Sequence, residues 1–213
     1  YEQSQKKTLG MSIFLVDLRE AGDSIEVRPI DTMINHETNQ LFFHELKVPT
    51  ENLIGEEGKG FYYILDGMNA ERILVASEAI GDARWFIKRA VQYGNEREIF
   101  GRPITKNQGI QFPIAQAYAQ TEAADLMRFR AADLFDAEEA CGPEANMAKL
   151  LCSQASWAAA NATIDTYGGY GFATEYDVER KFRESRLFTI APISNNMVLN
   201  FVAEHVLGMP RSY

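Results

Sequence analysis

The stretch Gly60-Phe-Tyr-Tyr-Ile-Leu-Asp-Gly-Met-Asn-Ala-Glu-Arg-Ile-Leu-Val-Ala-Ser-Glu-Ala-Ile-Gly81 decides how this chain reads. At helical period, Phe61, Ile64, Leu65, Met68, Leu74, Val75 and Ala79 form one apolar stripe. Glu71 falls inside it. A carboxylate flanked by hydrophobic neighbours loses solvation and holds its proton more tightly, which suits a general base working near neutral pH. A Glu paired with a cation on a neighbouring helix fits the same pattern.

Working outward, residues 58–94 predict one long helix, with Gly67 and Gly81 as points of close packing against a neighbour. Further helices are expected over about 106–139, 143–167, 177–187 and 194–207, with Ala155, Ala158, Ala159, Ala160 and Ala162 giving the third a small-residue face. Upstream the period changes. Met11–Asp17, Ile25–Ile30 and Gln40–Val48 read as strands, separated by turn signals at Ala21-Gly22-Asp23 and Asn35. Three strands make a poor independent sheet. The expected fold is therefore mainly α: an antiparallel four-helix bundle over 56–213, preceded by strands over 1–55 left from a truncated, β-barrel-like middle domain.

Composition narrows the function classes. Hydrophobic residues make up 46% of the 213 and charged residues 24%, as in an ordinary globular protein. A net charge of -9 without a Lys/Arg cluster argues against nucleic acid as a partner. No apolar run is long enough to span a bilayer, and the polar Tyr1–Lys7 segment lacks the core of a signal peptide. Cys141 and Cys152 have neither metal-ligand spacing nor disulfide-scaffold density, so a reducing cytoplasm and two buried thiols are expected. His36, His44 and His205 are scattered, and no metal site is expected.

Two local motifs carry chemistry. In Arg97-Glu-Ile-Phe100-Gly101-Arg-Pro103-Ile104, an Arg beside a Gly-containing turn suits an anion, and a structural helix end explains it equally well. In Tyr167-Gly168-Gly169-Tyr170-Gly171-Phe172, glycines permit close approach of a phosphate or of another backbone.

Taken in order, Val48-Pro49-x-x-x-Leu53-Ile54-Gly55, Gly58-x-Gly60-Phe61, Glu71-Arg72-x-x-x-Ala76, Arg97-x-x-Phe100-Gly101-x-Pro103-Ile104-x-x-x-Gln108 and Gly168-Gly169-x-Gly171-Phe172 with Arg183 and Arg186 resemble the second half of an acyl-CoA dehydrogenase. The resemblance covers nearly the whole chain. It implies FAD as cofactor, with Arg97, Phe100, Gln108, Gly168 and Gly169 reaching its pyrophosphate and adenosine in a neighbouring subunit. Asp165 takes the position where the family carries Gln, and Ser194 and Asn196 match positions that hold the same subunit's cofactor. Most members keep a catalytic Glu where this chain has Pro192, within Ala191-Pro192-Ile193-Ser194, and Pro offers neither a carboxylate nor an N–H. An isovaleryl-type and long-chain branch carries its base on the earlier helix, which is Glu71 here, followed by Arg72 as a substrate-orienting residue.

The implied activity is α,β-dehydrogenation of an acyl-CoA to a trans-2-enoyl-CoA. Electron-transfer flavoprotein is the implied acceptor, and the implied assembly is a cytoplasmic homotetramer built as a dimer of dimers. The same scaffold also suits a non-catalytic subunit or a flavin monooxygenase or oxidase.

Overall fold

A computed structural model describes residues 8–34 and 37–212. The opening Tyr1–Lys7 segment, the turn expected at Asn35 and His36 lie outside the described residues. The chain divides into two compact units, Tyr1–Met68 and Asn69–Tyr213. The division falls inside one continuous helix, past the 55/56 boundary expected from the change of period.

In the first unit, β1 (Ile13–Phe14) pairs antiparallel with β4 (Leu53–Ile54), and β2 (Ile25–Pro29) pairs antiparallel with β3 (Asn39–Phe43) in the register Ile25↔Phe43 to Pro29↔Asn39. The strand expected to run to Val48 stops at Phe43. Its partner begins at Ile25, and Glu45 adopts a φ of +47, which turns the backbone out of the extended region.

The helices are α1 (Gly60–Glu96), α2 (Gln108–Asp136), α3 (Gly142–Tyr167), α4 (Val178–Ser185) and α5 (Asn195–Phe201). Side-chain bonds fix their directions. Arg84 donates to Asp125 at 2.7 Å while Arg128 donates to Ser77 at 3.4 Å, so α1 and α2 run antiparallel. Cys152 Sγ donates to the Ala124 carbonyl at 3.5 Å, and Ala117 and Ala159 share one core cluster, which sets α3 antiparallel to α2. Lys181 of α4 pairs with Asp82, and Arg89 donates to the Tyr176 carbonyl just before α4, so α4 runs back along α1. The up-down-up-down bundle matches the expected fold class.

The buried face of α1 differs from the expected stripe. It consists of Ile73, Ala76, Ala79, Ile80, Ala83, Phe86 and Ala90, all near or below one-tenth exposed. Of the seven residues read as the stripe, Ala79 alone is buried, and Ile64, Leu65 and Leu74 are 53%, 44% and 65% exposed. The reason is steric. Facing helices present alanines, and small side chains let backbones approach closely, so the core follows Ala spacing and not the large aliphatics. The close packing expected at Gly67 and Gly81 is also absent: an added Cβ at either meets no atom within 4 Å. It occurs instead at Gly171, where a Cβ would lie 2.9 Å from Ile164 Cγ1 and 3.1 Å from the Ile164 carbonyl oxygen.

Both cysteines are free and buried, as expected, and burial pushes the Cys152 thiol up to about 12. No described helix is long and apolar enough to cross a membrane.

Candidate cofactor and acyl site

Between the end of α1 and the start of α2 the chain makes a tight hairpin, β5 (Glu98–Ile99) paired with β6 (Arg102–Pro103). Phe100 and Gly101 form its two-residue turn with φ of +54 and +74. Positive φ at both central positions is the geometry that matches strand twist, and Gly is suited to it. Phe100 is not, and it stands at the tip fully exposed (100%). At the far end of α3, Gly168 adopts a φ of +58 as its N–H bonds back to the Ile164 carbonyl, which ends the helix.

These two ends meet in an open groove of about 570 Å3, lined by Arg97, Ile104, Asn107, Tyr167, Gly168 and Gly169 among others. Tyr93 stacks on Tyr167 with centroids 4.0 Å apart, and the Arg97 guanidinium stands 5.9 Å from the Tyr170 ring centre. Arg97 has no carboxylate partner among the described residues. An added Cβ at Gly168 or Gly169 meets no atom within 4 Å, so the space beside both glycines is open, although the Gly168 N–H is already bonded to the Ile164 carbonyl. A free guanidinium beside unobstructed backbone is chemically suited to an anion. The structure thus brings Arg97, Gly168 and Gly169 together. Gln108, the first residue of α2, and Asp165 are exposed near the two ends but do not line the groove. Phe100 also stands outside it.

A second cavity, about 830 Å3, opens between α2, α3 and the segment ahead of α5; its wall includes Gln120, Trp157, Arg186, Ser194, Asn195 and Asn196. Ser194 caps α5, its hydroxyl accepting the Met197 N–H at 3.3 Å. The Arg186 guanidinium lies 4.9 Å from the Trp157 ring centre.

Glu71 corrects the expectation of a desolvated carboxylate. It is exposed in this chain, because the stripe around it is not the buried face, and it lines neither cavity. Arg72 beside it is half-buried: Nη1 donates to Asn69 Oδ1 at 3.1 Å, and Nε is enclosed without a partner among the described residues. Burial lowers the Arg72 pKa from its ordinary value, opposed by the charge of Glu71.

The sequence of the C-terminal domain of acyl-CoA dehydrogenases, described as "Acyl-CoA dehydrogenase, C-terminal domain", matches residues 58–207. The chain belongs to the acyl-CoA dehydrogenase family. It is 36% identical over 214 residues to acyl-CoA dehydrogenase fadE12 of Mycobacterium bovis, covering all of this chain and 55% of that protein. It is 37% identical over 186 residues to the caffeyl-CoA reductase-Etf complex subunit CarC of Acetobacterium woodii, covering 87% of this chain and 49% of that protein. The fold superposes on butyryl-CoA dehydrogenase from Megasphaera elsdenii with a TM-score of 0.89 at 30% identity, covering 96% of this chain and 54% of that one. The chain therefore spans about half the length of the curated relatives it matches.

Sequence reasoning missed Lys149, Asn195, Trp157 and Gln120. Lys149 carried a readable signal, since it is the one Lys or Arg in the Ala- and Ser-rich α3. Asn195 carried none, because nothing in its neighbourhood distinguishes it from an ordinary helix start.

Proposed function

We propose that the protein carrying this chain is an FAD-dependent acyl-CoA dehydrogenase that converts an acyl-CoA thioester to its trans-2-enoyl-CoA. The observation that carries the reading is the groove that Arg97, without a carboxylate partner among the described residues, lines together with Gly168 and Gly169, beside which no side chain stands. The residues fit the cofactor. Arg97 and the two glycines would hold its pyrophosphate, fully exposed Phe100 and Gln108 would reach the adenosine end from a neighbouring subunit, and Ser194 and Asn196 would hold the same subunit's flavin. When bound, FAD supplies the hydride acceptor.

Glu71 takes the α-proton on its carboxylate. Pro192 leaves the alternative family position without an acid, and Glu71-Arg72 occupies the other one. Water is excluded from Glu71 by the acyl chain and by surfaces outside this chain settling on exposed Leu74 and its neighbours. Arg72, with its enclosed Nε, orients the substrate end of the pocket. Similarity to a subunit of an Etf complex supports an electron-transfer flavoprotein as the acceptor.

Anaerobic mixing of the flavin-loaded protein with a panel of acyl-CoAs tests the reading. The wild type bleaches with at least one of them. Glu71→Gln keeps its flavin but bleaches slower by a factor on the order of 10^2–10^4, the usual worth of a positioned base. A second reading, a non-catalytic subunit, draws on the exposure of Glu71 and the loss of a carboxylate at Pro192. It requires a wild type that binds flavin and bleaches with no acyl-CoA.

A further inference from the structure

Lys149 is fully buried (0% exposed) in the middle of α3, and no carboxylate pairs with it among the described residues. Enclosing an ammonium costs several kcal/mol, a cost a methionine of similar volume would avoid. The charge therefore needs an explanation, and its hydrogen bonds supply one. Nζ donates to the Ile193 carbonyl at 2.6 Å and to Asn195 Oδ1 at 2.9 Å, and Asn195 Nδ2 in turn donates to Ser153 Oγ at 3.1 Å. All of these bonds end in one short segment and on one face of α3.

Downstream the segment is tied into α5, the Val198 N–H donating to the Ser194 carbonyl at 3.1 Å and the Met197 N–H to the Ser194 hydroxyl at 3.3 Å, while the bonds of Lys149 and Asn195 tie it to α3. It runs from the turn closed by Ile190 and Ala191 on the Leu187 carbonyl into the first two residues of α5, outside any strand pairing, and Pro192 ahead of it has no N–H. Its residues Ser194, Asn195 and Asn196 form part of the wall of the 830 Å3 cavity. Lys149 itself is sealed beneath the segment and does not line that cavity.

We infer that Lys149 is a positioning residue: its ammonium clamps Ile193–Asn196 onto α3 and so sets Ser194 and Asn196 in the cavity wall. The consequence for flavin rests on the functional reading above; the clamp does not. A shorter polar side chain on α3 does not reach, and an apolar one leaves the Ile193 carbonyl without its donor.

The test uses the complete protein that carries this chain, with Lys149→Met and Asn195→Ala as clamp variants. Val178→Ala is the control, a fully buried site on α4 toward the opposite end of the bundle. Amide hydrogen exchange over 194–198 and FAD affinity by flavin fluorescence are read together. Each clamp variant is expected to raise exchange in this segment and to weaken FAD binding by roughly tenfold, the worth of one lost hydrogen bond to a charged group. The double variant is expected to be little worse than either single one, because both break the same clamp. Val178→Ala lowers the melting temperature and moves neither readout. Unchanged exchange at 194–198 in both clamp variants overturns the proposal, as does an FAD loss that Val178→Ala reproduces. If Lys149→Met fails to fold, Asn195→Ala decides the matter, since its site is only half-buried and opens no core cavity. A wild type that takes up no FAD sinks the flavin reading, and the exchange measurement then judges the clamp separately.

Discussion

The two faces of α1 carry different kinds of apolar residue, and the assignment is the reverse of what residue size suggests. The face inside the bundle is built from Ala76, Ala79, Ala83 and Ala90 with Ile73, Ile80 and Phe86, whereas Ile64, Leu65 and Leu74 stand in solvent. Helices meeting through alanines come close enough that a few large side chains fill the remaining space. Bulk on the outer face serves no internal packing. On our reading it serves the acyl group and surfaces outside this chain. On the same reading an exposed aliphatic beside Glu71 marks function, and a buried alanine marks stability.

The sharpest way to break this contrast is to truncate one residue from each face. Phe86→Ala removes a fully buried ring from the core shared by Ala83, Ala117, Ala159 and Ala160, and is expected to cost about 3–5 kcal/mol by urea unfolding. A cost below about 1 kcal/mol would show that the alanine face does not hold the bundle.

Lys149 tests the inner side differently, because it is a charge among alanines. Burial lowers its pKa from 10.5 to about 8, with the charge of Arg72 adding to the effect. Below pH 8 the residue is protonated in both folded and unfolded chains, and the burial penalty is constant. Between about 8 and 10.5 the unfolded chain binds more protons, so stability rises with pH. The wild type should gain about 3 kcal/mol relative to Lys149→Met across that window, a shift of one pKa unit being worth about 1.4 kcal/mol. Urea midpoints of the two proteins at several pH values check it, and parallel curves would refute the burial argument.

Gly171→Ala sharpens the contrast at the glycine-rich turn. Its Cβ would press on the Ile164 side chain and carbonyl, and a loss of about 1–3 kcal/mol in thermal unfolding is expected. The smallest effect belongs to the outer face: Leu74→Ser should change the stability of the isolated chain by less than about 0.5 kcal/mol. The same substitution should still slow acyl-CoA turnover if that face meets the acyl chain. A large stability loss would place Leu74 in a core this structure does not show.

Much was legible from residue order. Helix positions followed from period and punctuation: Gly142-Pro143 opens α3, Gly168 closes it, and the strands give way to helix near Gly60. Arg97, Gly168 and Gly169, some seventy residues apart, could be nominated as an anion site because each has a local peculiarity, a cation at a tight turn or glycines at a helix end. Their convergence in one groove depends on α1 and α3 running parallel, which no local signal reports. Which face of α1 is buried was misread because periodicity weights large side chains, while the burial pattern is set by what the opposing helices offer, here alanines. The role of Lys149 was out of reach for a related reason. A lone lysine in an apolar helix announces that something unusual happens there, but its partners Ile193 and Asn195 lie more than forty residues downstream. Local chemistry writes helices, turns and candidate ions into the chain; which of those ions meet, and which faces lose water, is settled by packing between segments distant in sequence, where free energy depends on shape and not on order.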